Sequence, residues 1–593
     1  MRILGHIILY FLTAVILFSA PKEKTFKVKD VQFNGNKAFS SSSLNKVILN
    51  RPSKLLQPII YQDEIFIEDL ASIKRHYNRR GFLEMGIPNY SVKIDSSDYL
   101  VSISINIDEG PQTLLDIIQL NGNHSLSDSS IMAKVKLTSG DPLDVDIIEL
   151  SRQIITRLYA DQGYLNTDVK TESELRENLN SASLNFNITE GIQYKIGTIE
   201  IEGLEKTRPY VIRREINLEQ GQFINYSEIL QNQRKIYLLG LFESVFIEPR
   251  ESATQDSSIQ DLVVKVKEVE AGSFNVSVGY GSVDRMRAQL QFVQNNLKGT
   301  SNKLGSKAKI SSIQRLVELS YTNPRIRGSL WRADLNLRRE RLFQPSYELL
   351  SHGLRMAARR NLDKNLSITL STRNEINELS EIKVDTTTGG LAANVHSFNL
   401  RFTYDSRDNL FNPKQGIYLE WSNEIAGGPI TSSNNFLKSV LRLRYFKSIL
   451  KESTLGTAVE IGRIFSRNQN TNISLQERFY AGGPNSLRGF RYQEIGPLDS
   501  KGYPQGGLIL LIWNVAELRY PLYKSLQGSA FVDVGNAWFD IQSLQEGILA
   551  SDAGLGLNYN TALGVIRFDV AIPLGNVMAK DRIRFNLSMG YAF

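Results

Sequence analysis

Side chains able to do covalent chemistry are sparse in this sequence. The five histidines, His6, His76, His124, His352 and His396, stand far apart and match no zinc-ligand spacing such as HExxH. The absence of cysteine excludes a thiol nucleophile, thiolate metal sites, disulfides and lipidation on an N-terminal Cys. Neither a GxSxG elbow nor a GxxxxGK phosphate loop occurs, so neither an enzyme nor a cofactor or metal site is expected. The densest constellation is ERFYAGGPNSLRGFRYQEIGP, Glu477 to Pro497, where Arg488 is a fixed cation among the small residues Gly482, Gly483, Ser486 and Gly489, with Phe490 beside it. Downstream, FVDVGNAW places Asp533 on one strand face with Ser529, Gly535 and Ala537, which are small enough to leave room for a loop.

The elements that must position these groups follow from periodicity. After Gly272 the chain alternates apolar and polar residues in segments of about 8 to 12, separated by turns rich in Gly, Asn, Asp and Ser. Residues 273–593 hold about 16 strands at roughly 20 residues per strand and turn. In GVIRFDVAIPL, Ile566, Phe568, Val570 and Ile572 share one face, and Arg567, Asp569 and Ala571 the other. The final residues repeat the pattern, with Ile583, Phe585, Leu587, Met589, Tyr591 and Phe593 opposite Arg584, Asn586, Ser588 and Gly590. An antiparallel transmembrane barrel, apolar outside and polar inside, is the natural closure. The first strand, SFNVSVGYGS, turns Phe274, Val276, Val278 and Tyr280 toward lipid and Ser273, Asn275, Ser277, Gly279 and Gly281 inward. Where this strand meets the last one, small inward residues on both sides (Asn275, Ser277 and Gly279 against Asn586, Ser588 and Gly590) predict a weakly packed lateral seam.

From residue 26 to 271 the chain repeats itself three times, at 26–110, 111–192 and 193–271. The turn glycines Gly35, Gly122 and Gly203 are 87 and 81 residues apart, and the helix-stop glycines Gly81, Gly163 and Gly240 are 82 and 77 apart. Each unit reads strand, helix, helix, strand, strand, an α+β module with open sheet edges able to accept an extended peptide as an added strand.

Residues 1–20 read as a secretory signal peptide: Arg2, an apolar run from Ile7 to Phe18, then Ser19-Ala20. A net charge of +7 is spread without dense basic runs, so nucleic acid is not an expected partner.

The Arg488-Gly489-Phe490 loop, with Gly482-Gly483 and Ser486 before it, resembles the BamA/TamA superfamily of outer-membrane assembly proteins. DSRDNLFNPKQG from Asp405, NVAELRYPL from Asn514, FVDVGNAW from Phe531 and GVIRFDVAIPL from Gly564 extend the likeness over the mature chain. The resemblance implies a barrel at 272–593 in the outer membrane and POTRA repeats in the periplasm. It also implies a loop folded into the lumen, whose Arg488 pairs with Asp533, or with Asp569 as second candidate. Three repeats are similar to TamA-like members, and Asn586, Tyr591 and Phe593 resemble the family's C-terminal sorting signal, although Ser588 stands where Gly is usual. The implied function is insertion or export of β-rich clients, in the setting of outer-membrane lipid, with periplasmic or lipoprotein accessory subunits. The alternatives are a two-partner secretion transporter and, in a different class, a passive outer-membrane channel.

Overall fold

The computed structural model describes residues 25–593 apart from 54–57, 177–179, 254–255, 386–393, 428–433, 451–452, 468–472, 524, 548, 562–563, 576–578 and 590–593. The signal-peptide segment 1–20 and Gly590, Tyr591 and Phe593 of the last strand therefore lie outside the described residues. Contacts group the chain into two compact units. One comprises the residues up to Glu200 with Asn217–Arg234 and Phe246–Lys265; the other comprises Ile201–Ile216, Lys235–Val245 and Val266–Phe593.

The first repeat runs β1 (Lys27–Asn34), helices Ser41–Leu44 and Asp63–Asn78, β2 (Gly86–Asp95) and β3 (Leu100–Asp108). The second has β4 (Leu114–Asn121), helices Asp128–Met132 and Val145–Ala160, β5 (Asp168–Leu175) and β6 (Ser181–Thr189). The third has β7 (Lys195–Glu202), helices Tyr210–Arg213 and Tyr226–Tyr237, β8 (Phe242–Glu251) and β9 (Ile259–Glu268). In every sheet the third strand is central, which leaves the first and second strands as edges. The central strands alternate strictly: Val101, Ile103, Ile105 and Ile107 in β3, and Ala182, Leu184, Phe186 and Ile188 in β6, are buried. Against them the long helices bury one residue per turn, Phe66, Asp69, Ile73 and Tyr77 in the first repeat and Ile148, Ser151, Ile155 and Tyr159 in the second.

The turn glycines have a common cause. Gly35, Gly122 and Gly203 all have φ between +82° and +88°. A Cβ on them would come within 2.0 to 2.1 Å of the carbonyl oxygens of Ile107, Ile188 and Val266 on the central strands. The same turns are tied down by a glutamate at the end of each central strand. Glu109 accepts from the Ala38 N–H at 2.8 Å and the Tyr77 hydroxyl at 2.9 Å. Glu190 accepts from the Ser125 N–H at 2.7 Å and the Tyr159 hydroxyl at 3.0 Å. Glu268 accepts from the N–H groups of Glu205, Lys206 and Thr207, the last at 2.8 Å.

Sixteen strands, β10 (Gly272–Gly281) to β25 (Arg584–Met589), form a closed antiparallel barrel. In β18 (Gly416–Ala426), Leu419, Trp421 and Ile425 are exposed outward while Glu420 and Ser422 are buried inside. That is apolar surface toward lipid and polar surface toward the lumen. No described helix is long and apolar enough to cross a membrane. Within the second unit, the short helix of the third repeat is fastened to the barrel turns: Arg325 forks onto buried Glu215 at 2.9 and 2.5 Å, and the Arg208 N–H donates to the Gly299 carbonyl at 2.9 Å.

Candidate functional site in the barrel lumen

The segment from Ile473 to Leu508 fills the lumen as a folded loop. Antiparallel bridges join Phe479 to Gly507, Ala481 to Ile495 and Leu498 to Pro504. Ile473, Phe479, Ala481, Leu487, Phe490 and Ile495 pack with Val395, Val440, Ile464 and Leu510 of the wall in one apolar cluster. Gly482 and Gly483 turn the chain at φ +101° and +109°, and the Ser486 hydroxyl accepts from the Gly482 N–H at 3.2 Å, which shapes the bend before Arg488.

At the tip, Arg488 is 2% exposed. Its Nε and Nη2 fork onto Asp533 of β22 (Leu526–Trp538) at 2.7 and 2.9 Å, and its Nη1 donates to Glu517 of β21 (Ile509–Tyr523) at 2.8 Å. The guanidinium carbon lies 3.3 Å from the centre of the Phe531 ring, so the cation is stacked as well as paired. Asn514 donates a further hydrogen bond to Asp533. Asp569, the second candidate, is taken by Arg567 at 2.7 Å, and Glu517 is also held by Arg519 at 2.7 Å. Arg488, Arg519 and Arg567 thus pair with Glu517, Asp533 and Asp569, so that the buried Arg488 is matched by carboxylates on two strands. Gly489 is required by close approach: a Cβ there would lie 2.6 Å from the Cβ of Asp552, which is opposite Asp533 on β23 (Ala550–Thr561) and fully buried. Gly535 is required by the close approach of β21, since a Cβ there would lie 2.4 Å from the Leu511 carbonyl oxygen and 3.3 Å from Cδ1 of Leu487.

Of the expected seam positions, Ser588 has a described partner across the junction, Gly281 rather than Asn275, Ser277 or Gly279, with Tyr280 opposite Met589 beside it. Asn275, Ser277 and Gly279 have no described partner on β25, and Gly590 lies outside the described residues. Asn586 turns instead to the loop, donating to the Arg488 carbonyl at 2.8 Å.

Alternation alone misses Glu517. A bulge between Asn514 and Ala516 shifts the register of β21, so Asn514 and Glu517, three residues apart, both serve the Arg488 pocket. The outward residues record the shift, with Trp513 exposed before it and Leu518 and Tyr520 after it. Also missed is the anchorage at the loop's root. There Arg373 of β16 (Leu366–Ser380) forks onto buried Glu477 at 3.0 and 2.9 Å and onto Glu424 of β18 at 2.9 and 2.7 Å. Lys438 of β19 (Phe436–Leu450) donates to the Glu477 carbonyl at 2.8 Å. Glu477 opens the quoted loop motif, but its partners lie 39 to 104 residues away in sequence.

Fold and site together define a transmembrane β-barrel with a loop latched inside it and three α+β repeats before it in the chain. An Omp85 superfamily domain matches residues 296–593, and the surface antigen variable number repeat, POTRA, matches 26–110, 115–191 and 194–269. The chain belongs to the Omp85 superfamily, an outer-membrane β-barrel protein with its POTRA repeats in the periplasm. It is 23% identical to the outer membrane protein assembly factor BamA of Nitratidesulfovibrio vulgaris over 98% of this chain and 75% of that protein. It is 25% identical to BamA of Neorickettsia risticii over 92% of this chain and 75% of that one. The crystal structure of Haemophilus ducreyi BamA lacking POTRA domains 1–3 shares the fold, with a TM-score of 0.67 and 19% identity over 80% of this chain and 98% of that structure.

Proposed function

We propose that this protein is an outer-membrane assembly factor that inserts or exports β-rich clients and carries out no enzymatic reaction. The observation that supports this most is the buried Arg488–Asp533 fork, which holds a folded loop inside a closed barrel preceded by three repeats with open sheet edges. A channel built for passive flow has no use for a lumen packed with Phe479, Leu487 and Phe490. In this reading the repeats hold an extended client by strand addition along edges such as β2 and β5, whose backbone groups are free to pair on one side. The junction of β10 and β25 then opens laterally and offers its edges to the client. Opening in hydrocarbon leaves backbone groups unpaired at several kcal/mol each, and client strands that take up those groups remove the cost. With no nucleotide-binding motif in the sequence, client folding and bilayer strain supply the work. Accessory periplasmic or lipoprotein subunits are further partners of this scheme.

Depleting the protein and surveying the outer membrane tests the reading. Loss of most barrel proteins identifies a general insertase, and loss of a few a specialised one; an unchanged outer-membrane proteome rejects the proposal.

A further inference from the structure

Because the Arg488 side chain is forked on Asp533, its main chain is a fixed point in the lumen. The carbonyl at that point accepts a hydrogen bond from Nδ2 of Asn586 at 2.8 Å. Asn586 is on β25, opposite Asp569 of β24 (Gly564–Leu574), and is 3% exposed. Two further contacts connect the loop to the segment leading into β25. Arg491 forks onto Asp581 at 2.8 and 2.6 Å, and Glu494 accepts from the Lys580 N–H at 2.8 Å. Asp581 also receives Arg584, the first residue of β25, at 2.9 Å. On its other side β25 meets β10 through Gly281 opposite Ser588, and the Ser282 N–H donates to the Leu587 carbonyl at 2.9 Å. The last strand is therefore shared between the first strand and the loop.

We propose that Asn586 and Asp581 are positioning residues through which the lumen loop tethers the last strand, making the loop latch and the seam one mechanical unit. A rigid acceptor is what gives the tether its effect: Arg488 cannot follow β25 outward without breaking its fork to Asp533, so strand release is coupled to release of the loop tip. The inference rests on the reading of the β10–β25 junction as a gating seam.

The test uses the purified full chain in lipid vesicles without any client. Gly281→Cys with Ser588→Cys places the protein's only two thiols opposite each other, at the Cα spacing of about 4.5 to 5.5 Å of antiparallel partners, within disulfide range. A side chain at position 281 is accommodated, since its Cβ would meet nothing closer than the Leu587 carbonyl at 4.0 Å. Asn586→Ala and Asp581→Asn are each expected to slow disulfide formation about two- to tenfold, the factor carried by one net hydrogen bond. A control pair across an intact part of the wall, Leu419→Cys with Leu443→Cys, is expected to react equally in every background. Unchanged seam rates in both variants overturn the proposal. Should Asn586→Ala lose the heat-modifiable barrel, Asp581→Asn, in the connection before β25, decides alone. A tether that behaves as expected in a protein whose depletion changes no outer-membrane protein sinks the assembly reading and leaves the tether; an unchanged seam in a protein with clear clients does the reverse.

Discussion

At the residue scale, Arg488 makes three charge-assisted hydrogen bonds to two carboxylates and stacks on Phe531 while buried. Removing either member of such a pair leaves a buried charge unbalanced, at a cost of about 3 to 5 kcal/mol. Arg488→Ala and Asp533→Ala are expected to destabilise loop seating to a similar degree, with the double variant little worse than either single one. Protease sensitivity of the 478–507 segment, followed against denaturant, measures all three; fully additive losses would show that the two residues act separately. Arg488 and Asp533 were legible in the sequence because each stands in a distinctive motif. Glu517 was hidden by a one-residue bulge, and Arg373 by lying 104 residues from Glu477 on a strand with no distinguishing pattern.

At the element scale, the three repeats use one device, a glutamate at the end of the central strand that collects donors from the preceding turn. Burial alone would push the Glu190 carboxyl up, but the N–H and hydroxyl donors of Ser125 and the Tyr159 hydroxyl outweigh it, so it titrates below its ordinary value. Glu268 behaves likewise, its burial outweighed by the N–H groups of Thr207, Glu205 and Lys206. A carboxyl depressed in the folded state contributes stability that is present above its unfolded pKa, about 4.3, and lost as pH falls through the folded value. The hydrogen-exchange protection of the Ser125 and Thr207 amides, measured relative to the intrinsic exchange rate at each pH, is therefore expected to hold from pH 7 to about 4.3 and to fall below it. Glu190→Gln should abolish that pH dependence at Ser125 and weaken the turn by about 1.5 to 3 kcal/mol, the contribution of hydrogen bonds to a charged group. The helices, strands and stop glycines of these repeats were readable from periodicity. The shared glutamate was not, because its donors lie in turns about 65 residues away.

At the scale of the whole molecule, the sixteen strands of the closed barrel pair with one another without any strand supplied by the loop inside it. Ala481 and Ile495 are already bridged, so excising residues 482–494 joins two points that lie side by side. The shortened protein is expected to keep the heat-modifiable gel shift of a closed barrel. Its single-channel conductance in planar bilayers should rise greatly, because the apolar cluster around Leu487 and Phe490 no longer fills the lumen. A conductance equal to that of the intact chain would mean that another segment closes the pore.

The sequence by itself determined the order and number of the modules, since strand alternation, helix stops at Gly81, Gly163 and Gly240, and the spacing of Gly35, Gly122 and Gly203 are local properties of the chain. It also determined which face of each regular barrel strand meets lipid, because a two-residue period leaves only one such face apolar. The tertiary structure alone decided which charges meet. Barrel closure brings β16, β18 and β19 to the root of the loop, and β21, β22 and β25 to its tip, from positions up to 104 residues apart. Register sets these encounters residue by residue, and the bulge in β21 redirects one of them. That Arg488 meets Asp533 while Arg567 takes Asp569 is a relation between neighbouring side chains that no single motif encodes.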